Sequence, residues 1–330
     1  MRLLVTGGAG FIGSHYVRSV LTGAWGGEGP ERLMVLDKLT YAGNLANLEP
    51  VIDDARLHFV EGDITDRPIV DRVMAKVDAV VHFAAESHVD RSIMGAAEFV
   101  MTNVVGTQTL LDSALRHDIA KFVHVSTDEV YGSIDEGSWD EDAPLQPNSP
   151  YSASKASSDL FARAYHRTHE LPVCITRCSN NYGPYQFPEK LIPLFVTNLI
   201  DGALVPLYGD GANVRDWLHV DDHCRAVHLV LERGRPGEVY NIGGGTELSN
   251  KELTGLLLEA TGTDWDRVRP VPDRLGHDRR YSVDITKIGT ELGYRAQVPF
   301  EQGLAETVEW YRTHRSWWEP LKTRAALSEF

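Results

Sequence analysis

Leu3-Leu4-Val5-Thr6-Gly7-Gly8-Ala9-Gly10-Phe11-Ile12-Gly13 opens the chain. A short apolar run meets closely spaced glycines and then a helical pattern that reaches Thr22. A strand, a glycine turn and a helix start in that order form a site for a pyrophosphate. Glycines let the backbone come close, and the helix N-terminus offers free N–H groups and positive partial charge. The spacing is GxxGxxG rather than GxGxxG, so the tight turn differs in detail from the usual fingerprint, and the flanking elements carry the reading. Gly7, Gly10, Phe11, Ile12 and Gly13 are therefore candidate cofactor contacts.

Outward from this turn the pattern repeats. Apolar, β-branched runs at Leu33–Asp37, Leu57–Glu61, Ala79–Phe83, Phe122–Ser126 and Val173–Arg177 alternate with helical stretches near Ile12–Thr22, Ile69–Lys76, Ala96–His117 and Ser152–His169. Such alternation implies right-handed crossovers and an α/β, Rossmann-type doubly wound parallel sheet. The runs are nearly continuously apolar, as strands covered on both faces are. Beyond residue 178 the pattern loosens into a smaller, mixed α/β C-terminal substrate lobe. We expect residues 1–178 to form a cofactor-binding domain, with 218–241 returning to it, and 179–217 and 242–330 to form the lobe.

The 330 residues carry 47 acidic against 32 basic side chains, a net charge of -15. That balance argues against non-specific nucleic-acid binding, which needs positive charge against phosphates. It leaves room for an anionic small ligand met by a few local arginines. Cys174, Cys178 and Cys224 are too few for a disulfide framework and fit a reducing cytoplasm. No stretch approaches the ~20 apolar residues of a membrane span.

Asp37 ends the second run. A carboxylate there accepts hydrogen bonds from ribose hydroxyls and repels a 2′-phosphate, which favours NAD over NADP; Lys38 beside it pulls the other way. Lys38 and Thr40 join the candidate set in the same loop. Ligands in such sheets bind beyond the strands' carboxyl ends. Asp63 and Ile64 after the third run, and Phe83-Ala84-Ala85 with Ser87 after the fourth, are placed there too.

Thr127-Asp128-Glu129 follows the fifth run, and Tyr151 and Lys155 stand four apart at the start of the next long helix, behind Asn148-Ser149-Pro150. Positions i and i+4 share a helix face. A lysine ammonium beside the phenol favours phenolate, a base near neutral pH. The acid pair supplies a second proton-transfer set, which a simple oxidoreductase does not need. Arg177, Arg215, Arg274, Arg279 and Arg280 are candidate diphosphate partners through their bidentate forks. Arg215 and Arg274 are expected in ligand-facing loops. His219 and His223 stand at i,i+4 without the glutamate of a HExxH site, so no metal is expected.

Together these residues resemble the extended short-chain dehydrogenase/reductase family acting on nucleotide sugars, and within it the dTDP-glucose 4,6-dehydratases. Thr127-Asp128-Glu129 is the discriminating segment, since related 4-epimerases share the tyrosine and lysine but not the acid pair. Ala85–Ser92, Asn180–Gln186, Glu189–Pro193, Pro206–Gly211, Arg215–Trp217 and Asp273–Tyr281 are similar as well. The resemblance implies that Ser87, Thr127, Asn180, Glu189, Lys190, Leu191, Pro206, Tyr208, Arg215, Asn250, Arg274 and His277 hold a dTDP-sugar. It implies that Thr102, Tyr151, Lys155 and Asn181 touch NAD. The expected cycle oxidises C4 onto bound NAD, eliminates water across C5–C6 and returns the hydride to C6. Tyr151 would be the base at the 4-hydroxyl, Lys155 its partner, Thr127 a donor to the C4 oxygen, Glu129 the C5 base and neutral Asp128 the acid. Rival readings are a nucleotide-sugar 4-epimerase and a non-catalytic NAD-binding regulator. The resemblance further implies a homodimer, built on the 96–117 and 152–169 helices. The first of these carries Phe99, Val100, Val104, Leu110, Leu111 and Leu115.

Overall fold

The computed structural model describes residues 1–327, with side chains to Lys322. Its strands are β1 (Arg2–Thr6), β2 (Arg32–Asp37), β3 (Leu57–Glu61), β4 (Ala79–His82), β5 (Lys121–Thr127), β6 (Val173–Cys178), β7 (Asn180–Tyr182), β8 (Val205–Tyr208), β9 (Val214–His219), β10 (Val239–Ile242), β11 (Glu247–Ser249) and β12 (Val268–Val271). Seven of them form one parallel sheet in the order β10-β6-β5-β4-β1-β2-β3.

The two-residue period of a strand explains why these runs are apolar throughout. Leu3, Val5, Leu33 and Val35 face one core, with Tyr16, Val17 and Val20 of the Phe11–Thr22 helix and Val227 and Val230 of the Val220–Arg233 helix. Leu4, Met34 and Leu36 face the opposite core, with Val70, Val73, Leu110 and Leu111. Each such fully buried Leu or Val side chain contributes about 1.5–3 kcal/mol.

The chain order turns back at β1: β2 and β3 lie on one side, β4 to β6 on the other. Ligand crevices open beyond the strand ends at such a reversal. Over that crevice sits the lobe. It holds a three-stranded sheet, β11-β9-β7, and a parallel pair, β12-β8. Its core gathers Phe195, Trp217, Leu253, Leu257, Phe300, Leu304 and Trp318.

Two local expectations change. Arg215 lies within β9, not in a loop, because its strand gains partners on both sides: β11 antiparallel and β7 parallel. The 96–117 helical pattern is not uniform. Val100–Gly106 takes π-helical geometry before the α-helix resumes at Thr107. A Cβ on Gly106 would stand 2.5 Å from Ile64 Cδ1, so any larger residue there would force the Ile64 side chain to shift. The same segment brings Asn103 to brace the loop after β4. Its amide accepts from Glu86 N at 2.9 Å and donates to Glu86 O at 3.0 Å and Ser154 Oγ at 2.8 Å. Single π turns of this sort often sit beside sites.

Candidate active site

The glycine turn is built by contact as much as by flexibility. Gly7 holds a φ of 70°, and a Cβ there would lie 2.6 Å from Ala84 N. A Cβ on Gly13 would stand 2.2 Å from Gly7 O, so only glycine lets the helix start against the turn. At the tip of β2, Asp37 accepts Ala9 N at 2.9 Å and Leu39 N at 2.8 Å. Burial raises its carboxyl, and these two N–H groups oppose the rise. Lys38 Nζ pairs with Asp63 at 2.8 Å, so its charge is engaged rather than offered to a 2′-phosphate. The close-packed turn, the free helix end and the acid at β2 fit a dinucleotide of the NAD type.

The acid–base group forms where β5 stops. Thr127 caps the short turn Asp128–Tyr131, accepting Glu129 N at 3.2 Å and donating to Asp128 Oδ1 at 3.2 Å. Asp128 is 3% exposed, and its Oδ2 has no protein partner. Burial drives this carboxyl well above its ordinary range, and the charges of Glu129 and Asp216 add to the effect. Burial also raises Glu129, but Arg215, Lys190 and Arg274 across the cavity pull it back. Both carboxyls are therefore raised, Asp128 well above its ordinary range, while Glu129 has three cations favouring its charge.

Tyr151 enters from the next element. Ser149 and Ser152 form a capping box, and Pro150 sits at the first turn of the Pro150–His169 helix. The Tyr151 ring packs edge-on against Phe99 at 6.3 Å. Its phenol does not follow the lysine-driven expectation. Burial raises it well above the ordinary value, with Glu129, Cys178 and Asp128 adding, while a hydrogen bond with Thr127 opposes them. Lys155 Nζ donates to Val125 O at 2.8 Å, and burial pulls the ammonium down to about 8. Desolvation thus outweighs the i,i+4 charge in setting the phenol.

Apart from three of the arginines, every candidate contact named from the sequence lines one cavity of about 920 Å³. The glycine turn, Asp37, Lys38, Thr40, Asp63, Ile64, Phe83, Ala84, Ala85 and Thr102 form its floor and one wall. Thr127, Asp128, Glu129, Tyr151, Lys155 and Asn181 stand at the centre, and Ser87, Asn180, Glu189, Lys190, Leu191, Pro206, Tyr208, Arg215, Asn250, Arg274 and His277 complete the lobe side. Contacts cross between the halves: Lys190 Nζ to Ser87 O at 2.8 Å, Tyr41 to Glu189 at 2.9 Å and Arg274 to Asp90 at 2.9 Å.

The three arginines outside the cavity are engaged elsewhere. Arg177 is buried between Asp159 and Tyr131, Arg279 pairs with Asp210, and Arg280 pairs with Glu247. Buried or exposed carboxylates claim these forks before any ligand could. Sequence reasoning also missed Tyr281, whose ring lies 4.2 Å from the Arg215 guanidinium and whose hydroxyl bonds Asp278. An aromatic following two arginines was the available signal. His223, weighed from the sequence only as a metal ligand, instead braces Asn181 through Nδ1 at 2.9 Å.

The chain is similar to known proteins over nearly its whole length. The sequence model of the GDP-mannose 4,6 dehydratase family matches residues 4–307. A dTDP-glucose 4,6-dehydratase of Streptomyces antibioticus is 66% identical over 327 residues, covering 99% of this chain and 97% of the relative. The dTDP-glucose 4,6-dehydratase DesIV of Streptomyces venezuelae, solved with NAD bound, superposes with a TM-score of 0.96 at 67% identity over 97% of this chain and 100% of that one. A UDP-glucose 4-epimerase of Thermotoga maritima, solved with UDP-glucose, shares the fold at a TM-score of 0.87 and 34% identity, covering 94% and 99% of the two chains. The chain belongs to the GDP-mannose 4,6 dehydratase family, alongside the dTDP-glucose 4,6-dehydratases that it resembles over nearly its whole length.

Proposed function

We propose that this protein is an NAD-dependent hydro-lyase that converts dTDP-glucose to dTDP-4-keto-6-deoxy-glucose. One observation carries the reading beyond family: the buried Asp128 carboxyl, one oxygen of it unpartnered, beside Glu129 in the same cavity as Tyr151. A site that only oxidised and reduced C4 would have no work for a neutral acid there.

Gly7, Gly10 and Gly13 with Asp37 would hold NAD, which when bound would take up the hydride of C4 and give it back at C6. Tyr151 takes the proton of the 4-hydroxyl at its phenol oxygen, and Thr127 donates to the C4 oxygen. Lys155 orients and charges the tyrosine's surroundings. The 4-ketone acidifies the C5 proton, which Glu129 removes. Asp128, in its neutral form, gives its proton to the departing 6-hydroxyl, and a proton returned to C5 as C6 is reduced completes the 4-keto-6-deoxy product. Arg215 and Arg274 match the diphosphate, with Lys190 beside them. Burying the reacting carbons under the lobe keeps water from competing.

This assigns cofactor binding to residues 1–178 with 218–241, and the nucleotide sugar to 179–217 and 242–330. β10, which pairs with β6, and the Val220–Arg233 helix, which packs beneath the main sheet, support that division.

Incubation with C4-deuterated dTDP-glucose tests the function. The expected product has lost one water and carries deuterium at C6. A product of unchanged formula would mean epimerisation instead. Binding of the sugar nucleotide without turnover would revive the regulator.

We also propose a homodimer in the cytoplasm. Three buried free cysteines suit a reducing compartment, and among the described residues no helix is long and apolar enough to cross a membrane. The outer face of the packed 97–116 and 150–169 helices exposes Val100, Met101, Val105, Leu160 and Phe161, with Leu160 57% exposed. Paired across two copies, these faces would make a four-helix contact. The expected apolar stripe divides in the structure: Phe99, Leu110 and Leu111 turn into the chain's own core, and Val100 faces out. Leu160→Glu is expected to convert the dimer to monomer in sedimentation velocity, and a wild-type protein already sedimenting as a monomer would refute the interface.

A further inference from the structure

Ala9, inside the glycine turn, is pinned at both of its backbone polar groups. Its N–H donates to Asp37, and its carbonyl accepts Asn44 N at 3.0 Å and Asn47 Nδ2 at 2.9 Å. Asn47 is 2% exposed. The other end of its amide, Oδ1, accepts the indole N–H of Trp317 at 3.0 Å. Its backbone carbonyl accepts Arg18 at 2.6 Å.

The far side of this relay is equally built. Arg18 lies 4.2 Å from the centre of the Tyr185 ring. Tyr185 in turn meets Trp310 at 4.5 Å and Trp317 edge-on at 5.5 Å. Tyr185 holds a φ of 68°, an unfavourable region for a bulky residue, so its surroundings fix it there. Trp310 and Trp317 belong to the Phe300–Thr313 and Arg315–Leu327 helices, which pack on the lobe. One buried amide therefore joins the end of the lobe to the dinucleotide turn.

We propose that Trp317, acting through Asn47, is a positioning residue for the glycine turn and slows release of the cofactor. The inference rests on the reading that NAD is held at that turn. A turn already fixed in its binding shape loses less conformational freedom on binding, so affinity rises without a new contact. Removing the indole N–H leaves Asn47 Oδ1 buried and unpaired, and the amide is then free to turn away from Ala9. Retention has a purpose in this chemistry. Cofactor lost after C4 oxidation would strand a keto sugar with no hydride to receive.

The plainer reading is that Trp317 only packs against Tyr185 and Trp310. Trp317→Phe keeps an aromatic ring in that cluster but loses the donor. With wild type, W317F, N47A and the double variant each loaded with radiolabelled NAD and chased with unlabelled NAD, the release rate separates the two readings. W317F is expected to release NAD about five- to tenfold faster, the size of one lost neutral hydrogen bond, while remaining folded at the assay temperature. N47A is expected to do the same, and the double variant to be no faster than N47A alone. Equal release from wild type and W317F, or fully additive effects, would overturn the relay. A wild-type protein that retains no NAD at all would instead sink the cofactor assignment on which the relay rests.

Discussion

Tyr151→Phe is expected to lower turnover by about 10²–10⁴-fold, the range for loss of a positioned general base. The loss should fall on the first chemical step. The phenol oxygen is the group assigned to the 4-hydroxyl proton, and without C4 oxidation neither elimination nor reduction can follow. The fold should tolerate the change, because the ring's edge-on contact with Phe99 and the helix cap at Ser149 do not involve the hydroxyl. In a single turnover with excess enzyme, NADH absorbance should not appear on the timescale of wild type. The pH dependence has a defined sign. Burial raises the Tyr151 phenol, so the base form is gained as pH rises. The acid limb of wild-type turnover should therefore reflect this group. Tyr151→Phe should lose that limb along with the rate. A variant that still formed NADH at close to the wild-type rate would show that another group takes the proton.

Much of this site is legible in the chain alone, for reasons tied to particular residues. Leu3-Leu4-Val5 announces a strand covered on both faces because alternate side chains feed two separate cores. The glycines announce their turn because a Cβ on Gly7 or Gly13 would collide with backbone. Tyr151 and Lys155 are legible because helical spacing is local. What stayed hidden depends on long-range pairing. Arg215 sits in a strand only because β7 and β11 flank it, and Arg177, Arg279 and Arg280 are lost to ligand binding only because distant carboxylates claim them. The Trp317–Asn47 bond joins residues 270 positions apart. The electrostatics were half legible. Adjacent acids imply split proton affinities, but the burial that raises Tyr151 despite its lysine is a property of the packed cavity.

Asp128→Asn and Glu129→Gln are expected to separate the second half of the reaction from the first. Each should permit C4 oxidation, seen as accumulating NADH, while formation of the 4-keto-6-deoxy product falls by about 10²–10⁴-fold. Neither amide can exchange the proton its parent handles, yet both are close in shape. In Asp128→Asn the side-chain carbonyl can still accept from Thr127 as the Asp128 carboxyl does now. Equal loss of oxidation in both variants would count against dividing the roles in this way. The Asp128 variant carries a second signature that does not involve turnover. Burial holds the folded-state pKa of Asp128 well above that of an aspartate in the unfolded chain. Between those two values the folded protein keeps a proton that the unfolded chain gives up. Stability must then fall as pH rises from the unfolded value through the folded one. An amide is neutral at every pH and removes that slope. The variant should gain on wild type in thermal midpoint as pH rises above the ordinary aspartate range, while losing its activity. Parallel stability curves for the two proteins would mean that Asp128 is ionised in the folded state, and an ionised carboxylate could not protonate the departing hydroxyl.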